Sequence, residues 1–180
     1  MKWLDQVFRN WRIRKVLPHT GPAERLLDVG CGDGEFLRQL DRNGMGIDPR
    51  LGKLVDVPGV QFVRGNFPGD LPVTGPFDAI TMLAVLEHVP EPAKPAWPSA
   101  CHRLLAADGR VVLTVPSPRI DAILAVLRFF RLVDGMALEE HHGFNPSVVK
   151  PLFESAGFRL AIHKKFQLGL NNLFVFTKIV

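Results

Sequence analysis

Asp28, Asp33, Glu35 and Asp48, set around Gly30, Gly32 and Gly34, are the side chains whose types and spacing could do chemistry. Leu26-Leu27-Asp28-Val29 is an apolar run with an acid near its end. Gly30-Cys31-Gly32-Asp33-Gly34 then turns the chain into Glu35-Phe36-Leu37-Arg38-Gln39-Leu40. That reads as strand, tight loop, helix. Glycine serves where φ must be positive or a ligand must approach bare backbone. The following helix points free amides and its positive dipole end at the loop. Such a turn binds nucleotide-like ligands. Dinucleotide loops read G-x-G-x-x-G, whereas here Glu35 holds the place of the third glycine, an acid where a pyrophosphate would sit. With Asp28 and Asp33 nearby, the loop suits a ligand with a cationic part, an ammonium or a sulfonium. Gly44-Met45-Gly46-Ile47 leads to Asp48, eighteen residues after Gly30. An acid at about twenty residues takes ribose hydroxyls in nucleotide-binding βαβ units, and charged acceptors make the strong hydrogen bonds. The bland alternative for Asp48-Pro49 is a turn former.

These residues need a scaffold of buried strands and covering helices. Strands are predicted near 26–30, 45–48, 60–63, 77–82 and 110–115, and helices near 34–43 and 99–107. Two more strands are predicted at Phe158–Phe166 and Leu173–Ile179. Strand alternating with helix implies an α/β fold: a three-layer, doubly wound sheet of about seven strands, mostly parallel. Between Asp48 and Val60 there is room for a helix of one or two turns at most. The stretches 68–76 and 90–98 are proline-rich loops. Trp3, Leu4, Val7, Phe8 and Trp11 fall on one face of an N-terminal helix that Pro18 to Pro22 ends. The chain thus divides into an N-terminal amphipathic helix at 1–20 and a single domain at 21–180, with an insert or lid at 117–143.

Five segments in order resemble the class I S-adenosylmethionine-dependent methyltransferases, in their small-molecule (type 11) group. The Asp28–Gly34 loop resembles motif I, and Gly44–Asp48 the strand that follows. Phe77-Asp78 through Leu86-Glu87-His88-Val89 resembles the fourth strand and its continuation. Leu104-Leu105-Ala106-Ala107-Asp108-Gly109 resembles the turn into strand five, with Asp108 where the family has glycine. Phe144-Asn145-Pro146 through Ala156-Gly157-Phe158 resembles the last helix and its exit. The likeness runs from about Leu26 to the C-terminus. It implies an antiparallel C-terminal hairpin at the sheet edge, and S-adenosylmethionine as cofactor with S-adenosylhomocysteine as product. The implied cofactor residues are Asp28, Gly30, Cys31, Gly32, Gly34, Asp48, Pro49, Asn66, Phe67 and Leu83. Asp28 would lie near the methionine ammonium. Asn66 stands where the family often has an acid for the adenine amino group, and an amide oxygen accepts the same bond. Phe67 packs on adenine or in the core.

Methyl transfer from a sulfonium is an in-line displacement, so the protein mainly positions the nucleophile and excludes water. A base is needed only if the acceptor must lose a proton. His88, after strand four, and His141, with His142 before the last helix, are the candidates, and loop-ordering hydrogen bonds are their bland reading. His19, His102 and His163 receive no role. No Cys/His pair has zinc spacing, so no metal site is expected. Neither an N/D-P-P-Y/F motif nor a Pro-Cys nucleophile follows strand four. That argues against adenine, glutamine and cytosine acceptors and leaves a small-molecule or lipid-like acceptor, with O- or C-methylation favoured. The competing readings are a non-catalytic methyltransferase-like binding module and a NAD or nucleotide-sugar enzyme on a related fold.

At 180 residues and 47% hydrophobic content, the chain is one domain with a real core. Cys31 and Cys101 form no disulfide framework, and the N-terminus has no signal-peptide pattern, so a cytoplasmic location is expected. No apolar run is long enough to span a bilayer. The net charge of +4 resides in residues 1–20, where Lys2, Arg9, Arg12, Arg14 and Lys15 face only Asp5. Nucleic acid is therefore not an expected partner. The basic amphipathic segments Met1–Lys15 and Asp121–Val133 are candidates for peripheral membrane contact or for packing on the domain itself. The chain is expected to be a monomer or a homodimer.

Overall fold

The computed structural model describes residues 3–40, 43–52, 57–73, 75–118 and 144–179. Helix α1 (Trp3–Val16) is followed by β1 (Leu26–Val29), α2 (Glu35–Leu40), β2 (Gly44–Asp48), β3 (Val60–Arg64) and β4 (Phe77–Leu83). Then come α3 (Ala96–Leu104), β5 (Leu105–Pro116), α4 (Val149–Glu154), β6 (Phe158–Phe166) and β7 (Asn171–Lys178). The seven strands form one sheet in the order β3-β2-β1-β4-β5-β7-β6. The first five are mutually parallel, and β7 runs antiparallel to both β5 and β6. This is the doubly wound sheet that the alternation of elements implied, with the antiparallel edge pair that the family resemblance implied.

All four residues of β1 are buried, as expected of a parallel strand covered on both faces. Side chains alternate between two apolar layers. Leu27, Ile80, Met82, Val111, Leu113, Phe174 and Phe176 pack with Cys101 and Leu104 of α3 and with Phe153 of α4. Leu26, Ala79, Val112, Leu173 and Val175 pack on the other face with Phe36 and Leu37 of α2 and Ile13 and Val16 of α1. Among the described residues no helix is long and apolar enough to cross a membrane.

Two expectations change. Helix α3 stops at Leu104, three residues short of the predicted end, because Leu105 is already extended and opens β5. Leu105 pairs with Phe77 and, after a bulge, Arg110 pairs with Ala79. The Ala-Ala-Asp-Gly segment is thus the first part of a strand. The second change concerns α1. Its aromatic face does not turn to the sheet: Trp3 is 72% exposed, and Val7 and Trp11 are each 38% exposed. Ile13 and Val16, further along the helix, make the contact with the core.

Candidate functional site

The sheet order reverses at β1, which has β2 on one side and β4 on the other. In open α/β sheets the crevice beyond the carboxyl ends at such a switch point is where ligands bind. A cavity of about 750 Å³ opens there.

The loop after β1 forms its floor. Gly30 and Gly32 have φ of +73° and +56°, a region that L side chains avoid. A Cβ on Gly30 would collide with Val85, so this glycine admits the wall of the cavity. A Cβ on Gly32 would meet nothing within 4 Å, so the loop presents bare backbone to open space. Gly34 is different. It is outside the cavity lining, and a Cβ there would come within 2.7 Å of the Phe62 ring. Its smallness lets α2 close on β3.

Asp48 clamps this loop. One carboxylate oxygen accepts from the Gly32 N–H at 2.9 Å, and the other from the Arg50 N–H at 2.7 Å. The turn-forming role of Asp48 is therefore present. Each oxygen still has a lone pair for another donor. Pro49 lines the cavity beside it.

Asp28 lines the cavity from β1 and is 2% exposed. Burial pushes its carboxyl up to about 7, aided by the Asp48 charge, although the Thr81 hydroxyl donates to it at 2.6 Å. Burial and the neighbouring Asp28 and Asp48 also push up the Cys31 thiol, which is therefore neutral. Asn66 is exposed at the other end of the cavity. Its N–H donates to Asp70 at 2.7 Å and its side-chain amide also points to Asp70, leaving Oδ1 as an available acceptor. Phe67 is 7% exposed and belongs to the core, edge-on to Trp97 at 5.1 Å, with part of its surface in the cavity.

Leu83, Ala84, Val85 and His88 form the wall after β4. Ala84 sits at φ +59° and donates its N–H to both Thr114 O (3.0 Å) and Thr114 Oγ1 (3.2 Å). A non-glycine residue in that region is held there by its surroundings, a feature that clusters at functional sites. His88 is exposed at the mouth. His141 and His142 lie outside the described residues.

Sequence reasoning missed the ceiling. Arg9 and Arg12 of α1 line the cavity, on the side of the helix away from its aromatic stripe. Arg9 pairs with Asp33 at 2.7 Å. Burial opposes the Asp33 charge, but the Arg9 bond outweighs it and holds the carboxyl below its usual range. Arg12 is buried against Glu87, whose carboxyl burial raises to about 7. Nε of both arginines is buried without a hydrogen-bond partner. Nothing in the helix periodicity marks these two arginines, because spacing reveals a stripe without saying which way it faces. At the rim, the Glu35 carboxylate accepts from Gln39 (2.7 Å) and Arg38 (2.6 Å). Those bonds hold its carboxyl below its usual range, so it is an anion where a pyrophosphate would need a donor.

Residues 4–162 match a family model described as a methyltransferase domain. A ubiquinone biosynthesis O-methyltransferase from Pseudomonas aeruginosa is 37% identical over 118 residues, covering 57% of this chain. The chain spans about half the length of that relative, 49%. Among solved structures, the Burkholderia thailandensis 1,6-didemethyltoxoflavin-N1-methyltransferase, bound to 1,6-didemethyltoxoflavin and S-adenosylhomocysteine, superposes with TM-score 0.68 at 20% identity. It covers 99% of this chain, which covers 81% of it. The Mycobacterium tuberculosis cyclopropane synthase MmaA2 superposes with TM-score 0.68 at 18% identity, covering 94% of this chain and 84% of its own.

Proposed function

The chain belongs to the methyltransferase-domain family, and from that premise we propose that it transfers a methyl group from S-adenosylmethionine to a small, apolar acceptor. The carrying observation is the cavity at the switch point, whose polar groups match the parts of that cofactor one by one. S-adenosylmethionine supplies an electrophilic methyl carbon on a sulfonium, open to in-line displacement. Asp28, buried at the floor, gives the counter-charge for an ammonium. Arg12, which lines the cavity, gives a guanidinium for a carboxylate. Gly32 leaves space for close approach, Asp48 offers lone pairs to a diol, and Asn66 Oδ1 accepts from an adenine amino group. Glu35 and Asp33 at the rim disfavour a dinucleotide.

The acceptor side is apolar: Val85, Val89, Pro90 and Trp97 face it, with His88 at the mouth. These side chains exclude water and hold an aromatic or lipid-like nucleophile in line, and positioning of this kind is worth about 7–11 kcal/mol of barrier. His88 is the group on this wall able to take a proton from a hydroxyl acceptor, and His141 is the second candidate. O-methylation is the favoured chemistry, and the O-methyltransferase relative is consistent with it. Peripheral membrane contact through the basic amphipathic segments Met1–Lys15 and Asp121–Val133 would bring such an acceptor within reach. The second segment lies outside the described residues. Buried, unpaired Cys31 and Cys101 suit a reducing compartment such as the cytoplasm.

The test is incubation with methyl-labelled S-adenosylmethionine and a panel of hydroxylated aromatics, followed by extraction into organic solvent. The proposal expects label in the organic phase for at least one acceptor and its loss in Gly32→Val. Label that never leaves the donor across phenols, catechols and prenylated phenols, although the donor binds, favours the non-catalytic module.

Asp48 gives a sharper expectation. Asp48→Ala should weaken S-adenosylhomocysteine by about 1.5–3 kcal/mol, the value of a hydrogen bond to a charged group. A 2′,3′-dideoxy analogue should lose less, namely the part that comes from the loop clamp alone. Equal losses for the two ligands in titration calorimetry would mean that Asp48 acts only by holding Gly32.

A further inference from the structure

We propose that the outer face of α1, together with the tip of the β6–β7 turn, docks on the headgroup layer of an anionic lipid surface. This rests on the peripheral-contact reading above and names the surface that makes it. Trp3, Val7 and Trp11 recur at i, i+4 and i+8 and all three are exposed. Arg14 and Lys15 continue the same stripe one turn on and are exposed as well. The helix is packed with its polar side inward, since Arg9 and Arg12 line the cavity while the aromatic side faces out.

The β6–β7 turn joins this face. Gln167 Nε2 donates to the Phe8 carbonyl at 2.8 Å, which ties the turn to the flank of the helix. The next residue, Leu168, is 94% exposed. Cations gather beyond the end of the helix. His19, Arg110 and Lys164 meet there from three elements, and burial first, then the Lys164 and Arg110 charges, push the imidazole below its usual range. Tryptophan and leucine on one face with lysine and arginine at its border is the composition of helices that lie in the plane of a membrane surface.

Charge decides between occupants. A second copy meeting this face across a two-fold axis would bring a second set of the same cations, Arg14, Lys15, Arg110 and Lys164, into one interface. An anionic bilayer meets the same cations with opposite charge and takes the indoles at headgroup depth.

Co-sedimentation with vesicles tests this, using phosphatidylcholine alone and phosphatidylcholine mixed with phosphatidylglycerol, at low and at physiological salt. The wild-type chain should pellet with the anionic vesicles, less so as salt rises. Trp3→Ser with Trp11→Ser should reduce binding by about tenfold or more. Arg14→Glu with Lys15→Glu should reduce it similarly and flatten the salt dependence. These exposed side chains do not line the cavity, so each variant should keep the wild-type melting temperature and S-adenosylhomocysteine affinity. Failure of the wild type to pellet, or variants that pellet as it does, would overturn the docking surface. So would a dimer in analytical ultracentrifugation that the tryptophan changes dissolve. Vesicle binding without S-adenosylhomocysteine binding would instead remove the cofactor reading and leave the docking surface standing.

Discussion

Gly32→Val is expected to abolish S-adenosylhomocysteine binding in a protein that still folds. Nothing lies within 4 Å of the position a Cβ would take, so the side chain has room in the free protein. The φ of +56° imposes strain on a β-branched residue, on the order of 1–3 kcal/mol, which a domain of this size tolerates. The added methyl groups fill the space where backbone must meet the ligand. The loss should exceed about 3 kcal/mol, more than a hundredfold in Kd. Circular dichroism and thermal melting establish the fold, and titration calorimetry the affinity. A folded variant that binds as the wild type does would move the cofactor away from this loop.

Asp28→Asn is expected to stabilise the protein at mildly alkaline pH while weakening the ligand. In the folded chain this carboxyl sits at about 7, against about 3.9 when unfolded. Below about pH 4 both states hold the proton, and the preference of the folded state for it is fully expressed. Between about 4 and 7 only the unfolded chain releases the proton, so stability falls as pH rises. Above about 7 the contribution is gone, a change on the order of 4 kcal/mol for a site this buried. Glu87, also raised to about 7 by burial, slopes the same way. An asparagine keeps an oxygen for the Thr81 hydroxyl and carries no charge to bury. Its melting temperature should therefore fall less than the wild type's between about pH 5 and about pH 8. Binding runs the other way, because an ammonium needs the ionised form. Wild-type affinity should rise with pH through the same window, with a proton released on binding, and the asparagine variant should bind weakly at every pH. Parallel melting curves for the two proteins across that range would contradict the assignment.

That trade of stability for a charge in the cavity explains why some of the site was legible in the sequence. Asp28, Gly30, Gly32 and Asp48 break local rules: an acid inside a buried strand, bare glycines before a helix, an acid ending a second strand. Such violations mark function. The mostly parallel, doubly wound sheet was legible too, since buried parallel strands read as apolar runs that alternate with helices. The end of α3 was not, because Ala106 and Ala107 favour helix while the pairing of Leu105 with Phe77 and of Arg110 with Ala79 on β4 draws the segment into β5. Gly34 could not be told from Gly32 by type, since one makes room for the Phe62 ring and the other for open space. The orientation of α1 was the largest gap. Periodicity finds its aromatic stripe, but whether that stripe faces in depends on Arg9 meeting Asp33 and Arg12 meeting the buried Glu87, partners far away in sequence.

Titration calorimetry of the wild-type chain with S-adenosylhomocysteine and, separately, with NAD decides which cofactor the cavity takes. S-adenosylhomocysteine should bind saturably at one site per chain, tighter as pH rises toward 8, and NAD should give no saturable heat. No binding of S-adenosylhomocysteine, or binding of NAD with comparable affinity, would contradict it.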